Sequence, residues 1–199
     1  MTWSWSETAL LVVVLLGLVL WLVWLTASRL DRLHRKVVAS RHALQAQLDR
    51  RGRVCVDLAA SGLLDPASAV LLADAALAAL DTPDRPAEPR PSEAFALTGL
   101  PAERERAESA LSMTLRSVLE DPDDVAELRS TGTGDDLVGD LYSSWYRAQL
   151  ARRFHNEAVA QARRARRPRA VRWLRLAGRA PLPRTVELDD QMPAGLEGA

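Results

Sequence analysis

An uninterrupted apolar run near the amino terminus constrains this chain more than any other feature. Residues 8–28, TALLVVVLLGLVLWLVWLTAS, contain no charged side chain. As a helix with a rise of about 1.5 Å per residue, the run is about 30 Å long, which matches the hydrocarbon thickness of a bilayer. Trp21 and Trp24 occupy its last turns, where indole rings reach the headgroup region. The run therefore predicts a membrane-spanning helix.

A cleaved signal peptide is the competing interpretation of this run. It predicts a basic segment before the run and a small-residue cleavage site after it. Before the run only Glu7 is charged, and LWLVWL stands where a cleavage site is expected, so a retained anchor is favoured. Basic side chains follow the run: Arg29, Arg32, Arg35, Lys36 and Arg41. By the positive-inside tendency they predict a cell-membrane protein with its amino terminus outside and residues 29–199 in the cytoplasm.

Beyond residue 28 the sequence predicts helices joined by turns, with no strand signals. Apolar residues recur at helical spacings in the first segment: Leu30, Leu33, Val37, Leu44, Leu48, Cys55 and Leu58. Gly62 predicts a helix end, and Asp65 followed by Pro66 predicts the start of a second helix. That helix is nearly all apolar or alanine, which predicts burial on several sides. Further helices are expected over 101–119, after Pro122, and from Asp135 or Asp136 to about residue 166.

Long helices joined by turns pack best side by side and antiparallel. The predicted fold class is therefore all-α, with one N-terminal transmembrane helix followed by an antiparallel bundle of long helices. We expect an anchor at 1–28, a cytoplasmic bundle at 29–166 and a carboxyl-terminal segment at 167–199. The bundle contains a proline-rich linker at 81–91, and the last segment combines a basic amphipathic helix with a flexible tail.

No residue pattern points to catalysis or to a bound metal. His34 and His42 lie eight residues apart on one predicted helix, too far to share an ion, and His155 is the third and last histidine. Cys55 is the single cysteine, so an intrachain disulfide is excluded, and its place on the apolar stripe predicts burial. Nucleophile-elbow, zinc-protease and phosphate-loop motifs are absent from the sequence. We expect neither an enzyme nor a cofactor.

An arginine-rich segment near the carboxyl terminus is the strongest candidate contact site. Four of its arginines share one arc of a helical wheel: Arg169, Arg172, Arg175 and Arg179. Trp173 and several aliphatic residues occupy the opposite arc. A short basic amphipathic helix with a tryptophan is typical of an interfacial membrane contact. Each nearby arginine contributes about 1 kcal/mol with anionic headgroups.

Two other interpretations of the arginine-rich segment stay open, and a third is not expected. Its apolar face could dock on the bundle and leave the arginines in water, since charge runs are usually solvated. An amphipathic helix also fits a groove on a protein partner. Nucleic-acid binding is not expected, because no recognition module accompanies the charge.

Three stretches of this chain resemble the LemA family of membrane-anchored bacterial proteins. The first, LDRLHRKVVASRHALQAQLDRR, is similar to the family's first long helix through Gln47, Leu48, Arg50 and Arg51. The second, AESALSMTLRSVLEDPDDV, resembles a family stretch through Glu108, Leu111, Leu115, Glu120 and Pro122. The third resembles the end of the family's last bundle helix through Arg152, Arg153, Phe154, His155, Asn156 and Val159. The resemblance implies one N-terminal span and an antiparallel bundle, and it brings no established reaction.

The sequence thus predicts a membrane-anchored scaffold or interaction module whose basic carboxyl-terminal helix contacts anionic lipid or a protein. A membrane-tethered domain that binds a small ligand in the bundle core is the alternative. The expected partners are membrane lipid and a protein of unknown identity, and homo-oligomerisation stays open.

Overall fold

Five α-helices and one short 3-10 helix form the part of the chain that the structure describes. This computed structural model describes residues 5–83, 99–168, 171, 173 and 182–196. The helices are α1 (Trp5–Ala60), α2 (Pro66–Asp81), α3 (Ala102–Val118), α4 (Pro122–Arg129) and α5 (Gly132–Arg166), and the 3-10 helix is Ala194–Leu196. These residues contain no strand, so the predicted all-α class is confirmed.

Helix α1 joins the apolar run to the bundle without a break. Its 56 residues span about 84 Å at 1.5 Å per residue. The most apolar 18-residue window is 0% buried, and this helix is long and apolar enough to cross a membrane. From Val37 onward the same helix carries buried side chains on one face. The apolar run and the first bundle helix therefore form one continuous α-helix.

Helices α1 and α5 pack antiparallel along most of the length of α5. Near the end of the apolar run, Val37 packs against Val159 and its neighbours on α5. Further along α1, Leu44 and Leu48 meet Ala148. The third and largest cluster joins the last turns of α1 to the first half of α5 and to α2, α3 and α4. The antiparallel long-helix packing that the sequence predicts is thus present.

The turn between α1 and α2 follows the prediction, but the burial of α2 does not. Gly62 has a φ of 74°, a conformation that glycine adopts without steric cost. Asp65 caps α2, and its carboxylate accepts from the backbone N–H groups of Ala67 and Ser68. However, α2 packs on one side only, and several of its large apolar residues are exposed: Val70, Leu71 and Leu77. An alanine-rich helix offers little contrast between its faces, so burial on several sides was wrongly predicted.

Helix α5 begins before the acidic pair that was expected to cap it. Thr131 is the N-cap, and its hydroxyl accepts from the backbone N–H of Gly134. A Cβ on Gly134 would lie 1.9 Å from the carbonyl oxygen of Leu128, so glycine permits the close approach of α4 to α5. The sequence STGTGDD predicts a loop, but in the structure Gly134 serves a tight corner and Asp135 lies in the first helical turn.

Candidate functional site

Four charged side chains meet between α1 and α3, and we call them the buried charge cluster. Glu108 is fully buried and accepts from Arg51 at 2.7 Å and from Nε of Arg104 at 2.9 Å. Arg104 also donates to Asp49 at 2.7 Å. Arg51 is itself completely buried and donates to the hydroxyl of Ser112. Two guanidinium groups and two carboxylates thus balance in charge, with Asp49 partly exposed at the edge and the other three side chains buried, as burial of ions requires.

Trp145 of α5 connects the buried charge cluster to the end of the chain. The guanidinium carbon of Arg51 lies 4.8 Å from the centroid of the indole ring, a cation–π contact. Such contacts are worth about 2 kcal/mol when they are desolvated. The indole N–H donates to the backbone carbonyl of Asp190 at 3.0 Å. One fully buried aromatic residue therefore couples α1 to the carboxyl-terminal residues.

Residues 182–193 run in an extended conformation along α5 and α3, and we call them the carboxyl-terminal strap. Asn156 clasps the backbone of Val186, because its amide donates to the carbonyl oxygen at 3.0 Å and accepts from the N–H at 2.9 Å. Arg152 holds the carboxylate of Asp190 in a bidentate pair at 2.7 and 2.9 Å. Arg116 of α3 pairs with Asp189 and keeps the pKa of that carboxyl below its usual range. A flexible tail was expected here, but the structure places residues 182–196 on the bundle.

The motif residues near the end of α5, 152–156 and Val159, lie in three environments: against the strap, in the core and at the surface. Arg152 and Asn156 bind the strap, while His155 and Val159 are buried against α1. Arg153 and Phe154 are exposed, and Phe154 has 62% of its surface accessible.

His155 is an inward-facing member of this motif. Its Nδ1 lies 3.1 Å from the hydroxyl of Ser40 on α1. Burial lowers the pKa of the imidazole below its usual 6.5, because the charged form loses hydration. The side chain is therefore adapted to a neutral state in the folded protein.

Most of the predicted basic helix lies outside the described residues, including Arg169, Arg172, Arg175 and Arg179. Two of its apolar residues are described, and they differ in environment. Val171 is 4% exposed, whereas Trp173 is 87% exposed.

A cleft of about 600 Å³ opens between α1 and the carboxyl end of α5, and we call it the end cleft. Its polar lining consists of Thr26, Arg29, Gln161 and Arg164. Its apolar lining consists of Leu30, Leu33, Ala165, Pro168 and Val171. The end cleft adjoins the last turn of the apolar run, at the opposite end of α5 from the α4–α5 corner. Basic side chains of both helices, Arg29 of α1 and Arg164 of α5, line this cleft.

Other predicted features are structural in character. Cys55 is buried in the core, and burial raises its pKa to about 12, so its thiol stays protonated and unreactive at neutral pH. Among the described residues, no three His, Cys, Asp or Glu side chains are grouped so that they could hold a metal ion.

The sequence motifs did not identify several residues that pair with the motif residues in the buried charge cluster and the strap. Arg104, Asp189 and Asp190 complete the charge cluster and the strap, yet none of them belongs to a recognised motif. The acidic pair Asp189 and Asp190 in VELDDQ could have indicated an ion-pair partner for α5, because that helix is rich in arginine.

Comparisons with known proteins give no further assignment. No family model, curated protein or solved structure matches this chain.

Replacing Glu108 with leucine should destabilise the bundle by about 3–5 kcal/mol, because it leaves Arg51 buried without its carboxylate. Chemical unfolding of the full-length protein in detergent, followed by helical circular dichroism, measures this loss. The double variant Arg51→Met/Glu108→Leu should be more stable than the single variant, since no unpaired guanidinium remains at that position. The exposed carboxylate Glu157 is the control, and Glu157→Leu should cost less than about 1 kcal/mol. A similar small cost for Glu108→Leu would contradict the role of the cluster.

Replacing Asn156 with leucine should release the strap, because both hydrogen bonds to Val186 are lost while the branched side-chain shape is kept. Amide hydrogen exchange at Val186 should accelerate by at least roughly tenfold. Gln161→Leu changes an amide on the same helix that does not touch the strap, and it should leave this exchange rate unchanged. Equal protection of Val186 in both variants would show that Asn156 does not hold the strap.

The depressed pKa of His155 predicts that the fold loses stability as the pH falls below about 6.5. In this range the unfolded chain binds a proton that the folded imidazole does not take up, so protonation favours unfolding. His155→Gln should flatten the dependence of the unfolding free energy on pH between about 7.5 and 5.5. His42→Gln removes an exposed imidazole and should keep the wild-type slope. An unchanged slope in the His155 variant would refute this source of pH sensitivity.

Proposed function

We propose that this protein is a single-pass membrane-anchored scaffold, with an external amino terminus and a cytoplasmic helical bundle. The observation that carries the proposal is the continuity of α1. A helix with an exposed apolar half and a packed second half fixes the bundle directly to its anchor. Tethering of this kind raises the local concentration of the bundle at the membrane surface.

The bundle itself is suited to rigid presentation of surfaces. The buried charge cluster fixes α1 to α3, and the strap holds α5 and α3 together. Exposed apolar side chains lie along successive turns of α5: Tyr142, Tyr146, Leu150 and Phe154. A stripe with this spacing supports an interaction role, because such residues form contact surfaces between helices. The resemblance of the motif residues to those of LemA proteins supports the single span and the helical bundle of this proposal.

The partners in this proposal are anionic lipid and a cytoplasmic protein. Basic side chains of α1 follow the apolar run, and basic side chains of α5 reach the same end of the bundle. Attraction of such clusters to an anionic leaflet is expected from general membrane electrostatics. The sequence alternative of a small ligand in the bundle core gains no specific support, since the described cleft opens at the end of the bundle.

Membrane extraction combined with intact mass tests the anchor. The full-length protein should stay in membranes at alkaline pH and keep the mass of an uncleaved chain. A fusion of alkaline phosphatase to Ala199 should be inactive, because the carboxyl terminus is placed in the cytoplasm. A mature protein that lacks residues 1–28, or an active fusion, would overturn the proposed placement.

Cross-linking in intact membranes followed by affinity capture tests the scaffold role. The capture from wild type is compared with that from a variant in which Tyr142, Tyr146 and Phe154 are serine. A protein that is cross-linked to wild type and lost from the variant is the expected result. Equal captures would remove the α5 stripe as the contact surface.

A further inference from the structure

The end cleft lies at the height of lipid phosphates when the apolar run of α1 spans a bilayer. Hydrocarbon ends near residue 28, and each headgroup region adds about 5–8 Å on its side of the bilayer. Arg29 follows the run directly, and Leu33 lies about 7.5 Å beyond residue 28 along the helix. Trp21 and Trp24 precede Arg29 by about one and a half to two turns, as interfacial tryptophans do. This placement rests on the proposed membrane anchor.

The charged groups in the end cleft favour an anion. Arg29 contributes from α1 and Arg164 from α5, and none of the described residues that line the cleft is a carboxylate. The nearest acidic group on α5 is Glu157, which accepts from Nη2 of Arg164 at 3.0 Å. That contact occupies one donor of the guanidinium, and a guanidinium carries five N–H donors. The amide of Gln161, which also donates to Glu157, and the hydroxyl of Thr26 complete the polar lining.

The apolar part of the end cleft distinguishes a lipid from a free anion. Leu30 and Leu33 line it from α1, and Ala165 and Val171 line it from the other side. An inorganic phosphate is hydrated on all sides and gains nothing from such a wall. A phospholipid presents a phosphodiester beside a glycerol backbone and the first acyl carbons, which gain from burial against apolar side chains. The volume of about 600 Å³ admits a headgroup with its glycerol portion.

We propose that the end cleft is a binding site for an anionic membrane phospholipid. Its phosphate pairs with Arg29 and Arg164, and its glycerol region packs on the apolar wall. The bound lipid bridges the membrane-exit turn of α1 and the end of α5, so it fastens the bundle to the bilayer surface. The two arginines of this proposal, Arg29 and Arg164, both belong to the described residues.

Native mass spectrometry of the full-length protein in detergent tests this site by titration with phosphatidylglycerol. Wild type should bind one phosphatidylglycerol more tightly than phosphatidylcholine. The variant Arg29→Gln/Arg164→Gln should bind it at least roughly tenfold more weakly, given two arginine contacts. Ala165→Phe keeps both charges but fills the cleft, and it should also lose the lipid. Arg32→Gln/Arg153→Gln removes two exposed arginines outside the cleft and should bind as wild type does.

The alternative outcomes each overturn a defined part of the proposal. An equal loss of phosphatidylglycerol affinity in Arg29→Gln/Arg164→Gln and in Arg32→Gln/Arg153→Gln would show that overall charge, and not the cleft, attracts the lipid. Unchanged binding in the cleft variants, or equal binding of the two lipids, would remove the site. Displacement of phosphatidylglycerol by inorganic phosphate at equal affinity would assign the site to a soluble anion. Alkaline extraction of the same wild-type protein reports on the anchor separately, so failure of the anchor and failure of the lipid site are distinguishable.

Discussion

The ion pairs that Arg51 and Arg104 form with the buried carboxylate of Glu108 are the constraint on which the bundle depends. An isolated buried charge is costly, so each of these side chains requires the others in place. Arg51 stands on α1, Glu108 on α3, and Trp145 of α5 covers the guanidinium. Helices that meet at this point have little freedom to slide, because a shift of one residue would separate charge from countercharge. The cluster therefore specifies one arrangement of α1, α3 and α5 among the many that an alanine- and leucine-rich sequence could adopt.

The same contacts extend outward to the strap and along α1 to the apolar run. Trp145 donates to the carbonyl of Asp190, whose carboxylate pairs with Arg152. The carboxyl-terminal residues thus close the bundle over the aromatic residue that covers the cluster. In the other direction, α1 passes from the cluster to the apolar run as one helix. The core interactions and the apolar run are consequently joined by one continuous helix.

Two sequence motifs that are about 100 residues apart are connected in the structure by a chain of side-chain contacts. Arg51 belongs to the arginine pair of the first long helix, and Arg152 with Asn156 belongs to the motif of the last one. Trp145 lies between them in space, since it contacts Arg51 and shares Asp190 with Arg152. These residues hold α1, α5 and the strap together.

The sequence by itself determined the helical class, the apolar run, the cap at Asp65, the turn at Gly62 and the inward stripe of α1. These depend on local spacing and on backbone preferences, which act over a few residues. It did not determine the burial of α2, the start of α5, the strap or the charge cluster. Several of these depend on contacts between residues that are far apart in the sequence. Arg51 donates to Glu108, and Asn156 donates to the backbone carbonyl of Val186. Only tertiary structure decided them, because the energy of a buried ion pair or a clasped backbone exists only once distant segments lie within hydrogen-bond range.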